Sequence, residues 1–106
     1  MKVEFRGKIS SPAIEELTRK KLERIEKYFK GDEPSFVVSF DIENKDHVVR
    51  METNYNSFKL QAKAKSPDMY KSLDLCLENI KSQMLRNKFD KKTKRTHREY
   101  VEESEL

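Results

Sequence analysis

The amino-acid sequence predicts an α+β domain with the element order β-α-β-β-β-α, its two helices packed side by side on one face of a four-stranded sheet. Three features predict it. Apolar residues recur at every second position in four short segments and at every third or fourth position in two longer ones. The chain has 106 residues, which fits one domain with one core. With 35% hydrophobic and 40% charged residues, a core exists only if the apolar side chains gather on the inner faces of regular elements. Two amphipathic helices bury their stripes most economically on a shared sheet face, and the other sheet face stays wet.

In chain order, Lys2 to Arg6 alternates, with Val3 and Phe5 on one side and Lys2, Glu4 and Arg6 on the other, so it reads as a short strand. Ser11 is a candidate N-cap and Pro12 suits the first helical position, with Glu15 and Glu16 near the positive end of the helix dipole. Ile14, Leu17, Leu22, Ile25, Tyr28 and Phe29 share one face, and Gly31 is a candidate C-cap, which places a helix at roughly 11–30. Three strands follow. Phe36, Val38, Phe40 and Ile42 alternate with Val37, Ser39 and Asp41, and Asn44-Lys45-Asp46 makes a hairpin turn. A strand at about 47–54 points Val49, Met51 and Thr53 inward and Val48, Arg50 and Glu52 outward. After the polar turn Asn54-Tyr55-Asn56-Ser57, Phe58, Leu60, Ala62 and Ala64 face in, while Lys59, Gln61, Lys63 and Lys65 face out.

Ser66-Pro67 opens a second helix, with Asp68 placed to interact with the first-turn amides, and the helix runs to about Lys92. Its inner face is Met69, Leu73, Cys76, Leu77, Ile80 and Met84, with Tyr70 at the edge. From Lys91 onward the hydrophobic period stops. Residues 1–92 therefore form the expected domain, and residues 93–106 an expected tail, basic and then acidic, disordered when free.

The formal net charge of +4 conceals a segregation along the chain. Residues 1–30 hold nine Lys/Arg against five Asp/Glu, and residues 67–98 hold nine against four. Residues 31–66 are nearly balanced, and residues 99–106 hold four Glu and no base. Two basic segments separated by a neutral one point to a polyanion-binding face with strong salt dependence. On the first helix, Lys20, Arg24 and Lys27 form a stripe beside the apolar face, with Lys21 on the border and Glu15, Glu16, Glu23 and Glu26 on the opposite flank. A merely soluble helix gains more from interspersed signs. The second helix carries Lys81, Lys88 and Lys92 on one flank and Arg86 on the other, and Lys91, Lys94 and Arg95 continue the charge past its end. Neighbouring helices with such flanks can line a shared groove for phosphates. Tyr70 either stacks on a base or packs over the core edge with its hydroxyl in water.

Catalytic constellations are not visible. No nucleophile sits beside a base, Cys76 falls on the apolar face of the second helix, and His47 and His97 lack ligand-type neighbours at metal spacing. Gly7 and Gly31 cannot make a phosphate-cradling loop. No enzyme activity, cofactor or metal is therefore expected. A single cysteine and the absence of a signal-like apolar run after Met1 make the cytoplasm the expected compartment. No stretch approaches the ~18 apolar residues of a spanning helix, so no membrane partner is expected.

Particular residues also carry a resemblance. The start Ser11-Pro12-Ala13-Ile14, the run Lys21-Leu22-Glu23-Arg24-Ile25-Glu26-Lys27-Tyr28-Phe29, and Ala62-Lys63-Ala64 leading into Asp68-Met69-Tyr70-Lys71-Ser72-Leu73-Asp74 resemble the ribosome hibernation-promoting factor family, also called ribosome-associated inhibitor. The resemblance covers about residues 1–92, and Asp68-Met69-Tyr70 is its most specific part. It implies a domain that lies in the small-subunit cleft where messenger RNA and the A- and P-site transfer RNAs would sit, on 16S ribosomal RNA and near the ribosomal proteins of the decoding site. It further implies a translation inhibitor of idle or stressed cells, monomeric when free. Carried over by position, first-helix contacts fall on Lys21, Arg24 and Lys27, and second-helix contacts on Asn79, Ser82 and Arg86, of which only Arg86 is charged. Lys81, Lys88 or the 91–98 segment are the candidates to compensate. Long members pair ribosomes through a second domain, for which these 106 residues leave no room, so no ribosome pairing by this chain alone is expected.

Two other binding readings and one enzymatic reading compete. A general double-stranded-RNA-binding domain has a similar fold but normally starts with a helix and has three strands. An adaptor would act through the acidic tail. A nuclease would use Asp41, Glu43, Asp46 and Glu52, which read more simply as strand edge and turn.

Overall fold

Four strands lie side by side in the order β1-β2-β3-β4, with β1 (Lys2–Arg6) parallel to β2 (Ser35–Glu43) and β3 (Asp46–Tyr55) and β4 (Phe58–Ser66) added as an antiparallel meander. Helix α1 (Pro12–Glu26) crosses from β1 to β2, and α2 (Met69–Asp90) follows β4. The structure, a computed structural model, describes residues 1–29, 33–55 and 58–86, and the helical backbone of 87–90. The element order and class are those expected from the sequence. Because β1, β2 and β4 point the same way, each helix returns across the sheet in the same direction. The two helices therefore run parallel.

The local chemistry of the elements explains their ends. Ser11 is extended (φ −142°, ψ 113°) and its hydroxyl accepts from the Ile14 amide, with Pro12 at the start of α1, where its missing N–H costs nothing. The helix ends earlier than expected, at Glu26. Lys27 caps it, and the Tyr28 and Phe29 amides donate to the carbonyls of Ile25 and Glu26 in a tighter three-residue turn. This turn swings Phe29 off the helical face and over the rings of Phe36 and Tyr55, at 5.6 and 5.1 Å. Gly31, the expected cap, lies outside the described residues, as does the whole of 91–106. The β2–β3 hairpin is closed by Asn44 and Lys45, both at positive φ (50° and 74°), the two-residue turn whose twist suits paired strands. Asp68 starts α2, its Oδ1 accepting from the Tyr70 amide at 3.0 Å.

The helix-facing side of the sheet supplies Phe36, Val38, Phe40, Val49, Met51, Leu60 and Ala62 to the core, against Ile14, Leu22 and Ile25 of α1 and Met69, Leu73, Cys76, Leu77, Ile80 and Met84 of α2. Three expectations fail. Ile42 continues the inward alternation but is 49% exposed, because the strand runs on past the end of the helix layer. Val48, expected to be solvated, is fully buried on the opposite face, in an interior strand between Asp41 and Lys65. Tyr55, assigned to a turn, is the buried last residue of β3. Thr18 and Ser72 are also buried, with their hydroxyls satisfied: Thr18 Oγ1 donates to the Ile14 carbonyl at 2.6 Å, and Ser72 Oγ donates to the His47 carbonyl at 2.7 Å. Ser66 Oγ lies 2.8 Å from Ser72 Oγ, so the first turn of α2 is fastened to β3 and the end of β4.

The outer sheet face is an ion-pair lattice. Arg50 and Lys63 stand directly opposite one another, a repulsive cross-strand pair, and Glu43 reaches between them, 2.9 Å from Arg50 Nη2 and 4.0 Å from Lys63 Nζ. Asp41 joins Arg50 at 3.7 Å and Glu52 joins Lys59 at 3.6 Å. The strand carboxylates of the nuclease reading are thus largely committed to cations.

Two outcomes follow from this packing. Gly7 has φ +99°, and a Cβ there would lie 2.3 Å from the Phe40 carbonyl oxygen. Gly7→Ala should therefore cost about 1–3 kcal/mol or more in a urea unfolding titration. The hydrogen bond from Arg50, then the charge of Lys63, holds the Glu43 carboxyl below its ordinary 4.5. A depressed carboxyl stabilises above its unfolded value and loses that contribution as pH falls through the folded one. The Tm difference between wild type and Glu43→Gln should accordingly be largest above about pH 4.5 and shrink below it.

Candidate nucleic-acid interface

Burying the apolar stripes of two parallel helices on one sheet face brings their remaining flanks together. Lys21 of α1 meets Asp74 of α2, its Nζ 3.0 Å from Oδ1. One turn on, Arg24, Ile25, Lys27 and Tyr28 face Leu77, Glu78 and Lys81 across a groove of about 400 Å³. At the far end, Tyr28 and Lys81 also line a smaller cleft with Tyr55, Met84 and Leu85. The floor is apolar and the rims are charged. Lys27 lies 5.5 Å over the Tyr28 ring, which holds its ammonium at the rim.

Of the residues singled out in the sequence, Lys21, Arg24, Lys27 and Lys81 are brought together here. Lys20 is not, contrary to the stripe drawn from helical spacing: it points to solvent beside Glu16, at 3.7 Å. Arg86 is half-buried on α2 and does not line the groove. Asn79 Oδ1 accepts from Gln83 Nε2 at 2.7 Å, and the same amide donates to the Gln61 carbonyl on the β4 edge; Ser82 is exposed. Asp68 serves the helix start, as described. Tyr70 is 51% exposed one turn before Asp74, on the same side of α2, so its ring faces solvent and does not close the core. Lys88 lies on the α2 backbone with its side chain outside the described part, and Lys91, Lys92, Lys94 and Arg95 lie outside the described residues.

Sequence reasoning missed the two carboxylates of the groove, Asp74 and Glu78. Their spacing from Lys81, seven and three residues, places all three on one side of α2 and was available as a signal. The Lys21–Asp74 pair is partly exposed, with side chains 29% and 59% accessible, so it is worth about 0.2–1 kcal/mol and is readily exchanged for a phosphate. Arg24 and Lys27 also sit at the negative end of the α1 dipole, which favours them apart from any ligand. That accounts for two bases on α1. It does not account for Lys81, well inside α2 on the facing wall.

The geometry offers no reaction chemistry. Cys76 is fully buried, and burial pushes its thiol up to about 12. His47 Nδ1 is enclosed without a hydrogen-bond partner among the described residues, and no His/Cys/Asp/Glu group there could hold a metal ion. Among them, too, no helix is long and apolar enough to cross a membrane.

Fold and groove together define a small binding domain with a basic cleft between paired helices. Residues 1–93 match the family described as Sigma 54 modulation protein / S30EA ribosomal protein, and the chain belongs to that family. It is accordingly a ribosome-associated binding factor and not an enzyme. Among solved structures, it is similar to a ribosomal subunit interface protein from Coxiella burnetii, with 30% identity over 83% of this chain and 98% of that one, at a TM-score of 0.72. The N-terminal domain of Thermus thermophilus Protein Y shares the fold, with a TM-score of 0.74 at 19% identity over 81% of this chain and 98% of that one. No curated protein matches the chain in sequence.

Because its thiol is buried and held protonated at neutral pH, Cys76 should react with Ellman's reagent at pH 8 only as the protein unfolds. Labelling should be slow in buffer and complete within minutes in denaturant. Rapid labelling of the native protein would contradict the packing of α2.

Proposed function

We propose that the protein is a ribosome hibernation factor. It binds the small subunit at the decoding region through 16S ribosomal RNA, excludes messenger RNA and the A- and P-site transfer RNAs, and keeps idle ribosomes inactive and protected. The observation that carries the reading is the groove in which Lys21, Arg24, Lys27 and Lys81 converge, in a chain of the S30EA family. The similarity to a ribosomal subunit interface protein supports the location.

The mechanism is occlusion. Lysines and arginines on rigid helices bind the phosphate backbone without reading sequence, so the shape of the site supplies specificity. A folded domain then fills volume that messenger and transfer RNA would occupy, and no bond is made or broken. Contacts of this kind are individually weak and release counterions, so the complex is reversible and salt-sensitive. Tyr70 and the basic run Lys88, Lys91, Lys92, Lys94 and Arg95 extend the contact surface in this reading, with residues 1–92 as the binding domain. In this reading the free protein is a cytoplasmic monomer.

Cosedimentation with separated small subunits, large subunits and whole ribosomes over a salt series tests the proposal. Wild type should pellet with small subunits and whole ribosomes. Changing Lys21, Arg24 and Lys27 to Glu should abolish this at near-physiological salt and reduce the slope of log affinity against log salt by about 2–3. Equal binding to a plain RNA duplex, or no ribosome binding at low salt, would sink the reading.

A further inference from the structure

The groove has two unlike walls. On α1 the groove-lining charges are all basic, Lys21, Arg24 and Lys27, whereas α2 presents Asp74 and Glu78 beside Lys81. We propose that Asp74 and Glu78 are specificity-determining residues: they admit RNA whose phosphates track along α1 and disfavour RNA whose phosphates run along α2. The domain thereby prefers a folded RNA site of fixed backbone course to an uninterrupted duplex. This deepens the hibernation reading and rests on it.

A simpler account would make the carboxylates ordinary solvating groups, or Asp74 a staple between the helices through Lys21. The staple explains Asp74 alone. Glu78 makes no ion pair among the described residues, and it lines the groove when most of the exposed surface was open to it. A wall built only to attract phosphate would carry neutral or basic groups at both positions. Charges of the two walls approach to 3.0 Å at Lys21 and Asp74, well within a Debye length of ~8–10 Å at physiological salt. Any phosphate seated in the groove therefore feels both walls, each only partly screened. A duplex carries a charge every ~1.7 Å along its axis on two strands, so it cannot keep all its phosphates against α1. A folded single-stranded track can. Discrimination by a repulsive element, with attraction left non-specific, is a general device of selective binding surfaces.

Asp74 has a second part in this as a positioning residue. It holds the Lys21 ammonium at the α1 rim, 3.0 Å away, and releases it when a phosphate arrives. Removing Asp74 therefore frees a cation as well as deleting a repulsive group, whereas removing Glu78 deletes only the repulsion.

The full-length protein, its Glu78→Gln variant and its Asp74→Asn/Glu78→Gln variant would be titrated with a labelled RNA duplex of at least about 16 base pairs and with purified small subunits. Both would be run at low and near-physiological salt, with thermal unfolding as the check on folding. The double variant should bind the duplex roughly tenfold more tightly while small-subunit affinity changes less than about threefold, and Glu78→Gln alone should give about half the effect on a logarithmic scale. An unchanged ratio of the two affinities overturns the proposal, whether both rise together or neither moves. An effect confined to the double variant also overturns it, since the release of Lys21 would then be the cause. Wild type failing to bind small subunits would instead strike at the hibernation reading, and that is read before any variant is compared.

Discussion

Both helices must share one face of one sheet, and the rest of the molecule depends on this constraint. The parallel pair β1–β2 requires a crossover, which α1 supplies, and the meander that follows leaves β4 pointing the same way as β2. The chain between β4 and the end of α2 must then run back over the sheet alongside α1. Two parallel helices with narrow apolar stripes cannot hide their flanks, so the charges beside each stripe meet across the gap. The basic groove follows from the topology together with those flank charges.

A core this small leaves little slack, and its buried hydroxyls are correspondingly well matched, although His47 Nδ1 finds no partner among the described residues. Thr18 returns its hydroxyl to the Ile14 carbonyl, and the Ser66, Ser72 and His47 cluster ties the start of α2 to β3 and the end of β4. An unmet hydroxyl at either place would cost about 1–3 kcal/mol, a large share of the stability of a domain of this size. The fastening also sets the register of α2 against α1. A helix free to slide by one turn would move Asp74, Glu78 and Lys81 about 5.4 Å along the groove and dissolve the pairing with Lys21.

The two sheet faces divide the work. The outer face partly neutralises itself: Glu43 settles the repulsion between Arg50 and Lys63, Asp41 joins the same Arg50, and Glu52 takes Lys59. On the helix side, Lys20 pairs with Glu16 on the outer flank of α1, while Arg24, Lys27 and Lys81 point into the groove. Four bases converge there, and with the shape of the groove they give a polyanion a place to dock. Asp74 and Glu78 keep that attraction from being indiscriminate.

The sequence by itself determined the elements, because hydrophobic period, caps and turn residues are local properties: Ser11-Pro12, Asn44-Lys45 and the alternation of Phe36, Val38 and Phe40 each specify their structure within a few residues. Sorted charge on a helical wheel also marked Lys20, Arg24 and Lys27 with Lys21 on the border, and the family resemblance singled out Lys21, Arg24 and Lys27. What it left open depends on where an element ends relative to its neighbours. Ile42 obeys the alternation yet outruns the helix layer, Val48 breaks it yet is enclosed by adjacent strands, and Tyr55 completes a strand that local polarity read as a turn. Lys20 and Lys21 are adjacent and chemically alike, and only the direction of the facing helix separates the exposed one from the one beside Asp74. The groove, its two carboxylates and its unlike walls belong to neither helix alone. Tertiary structure decided them, because a gap between two surfaces exists only once both have been placed.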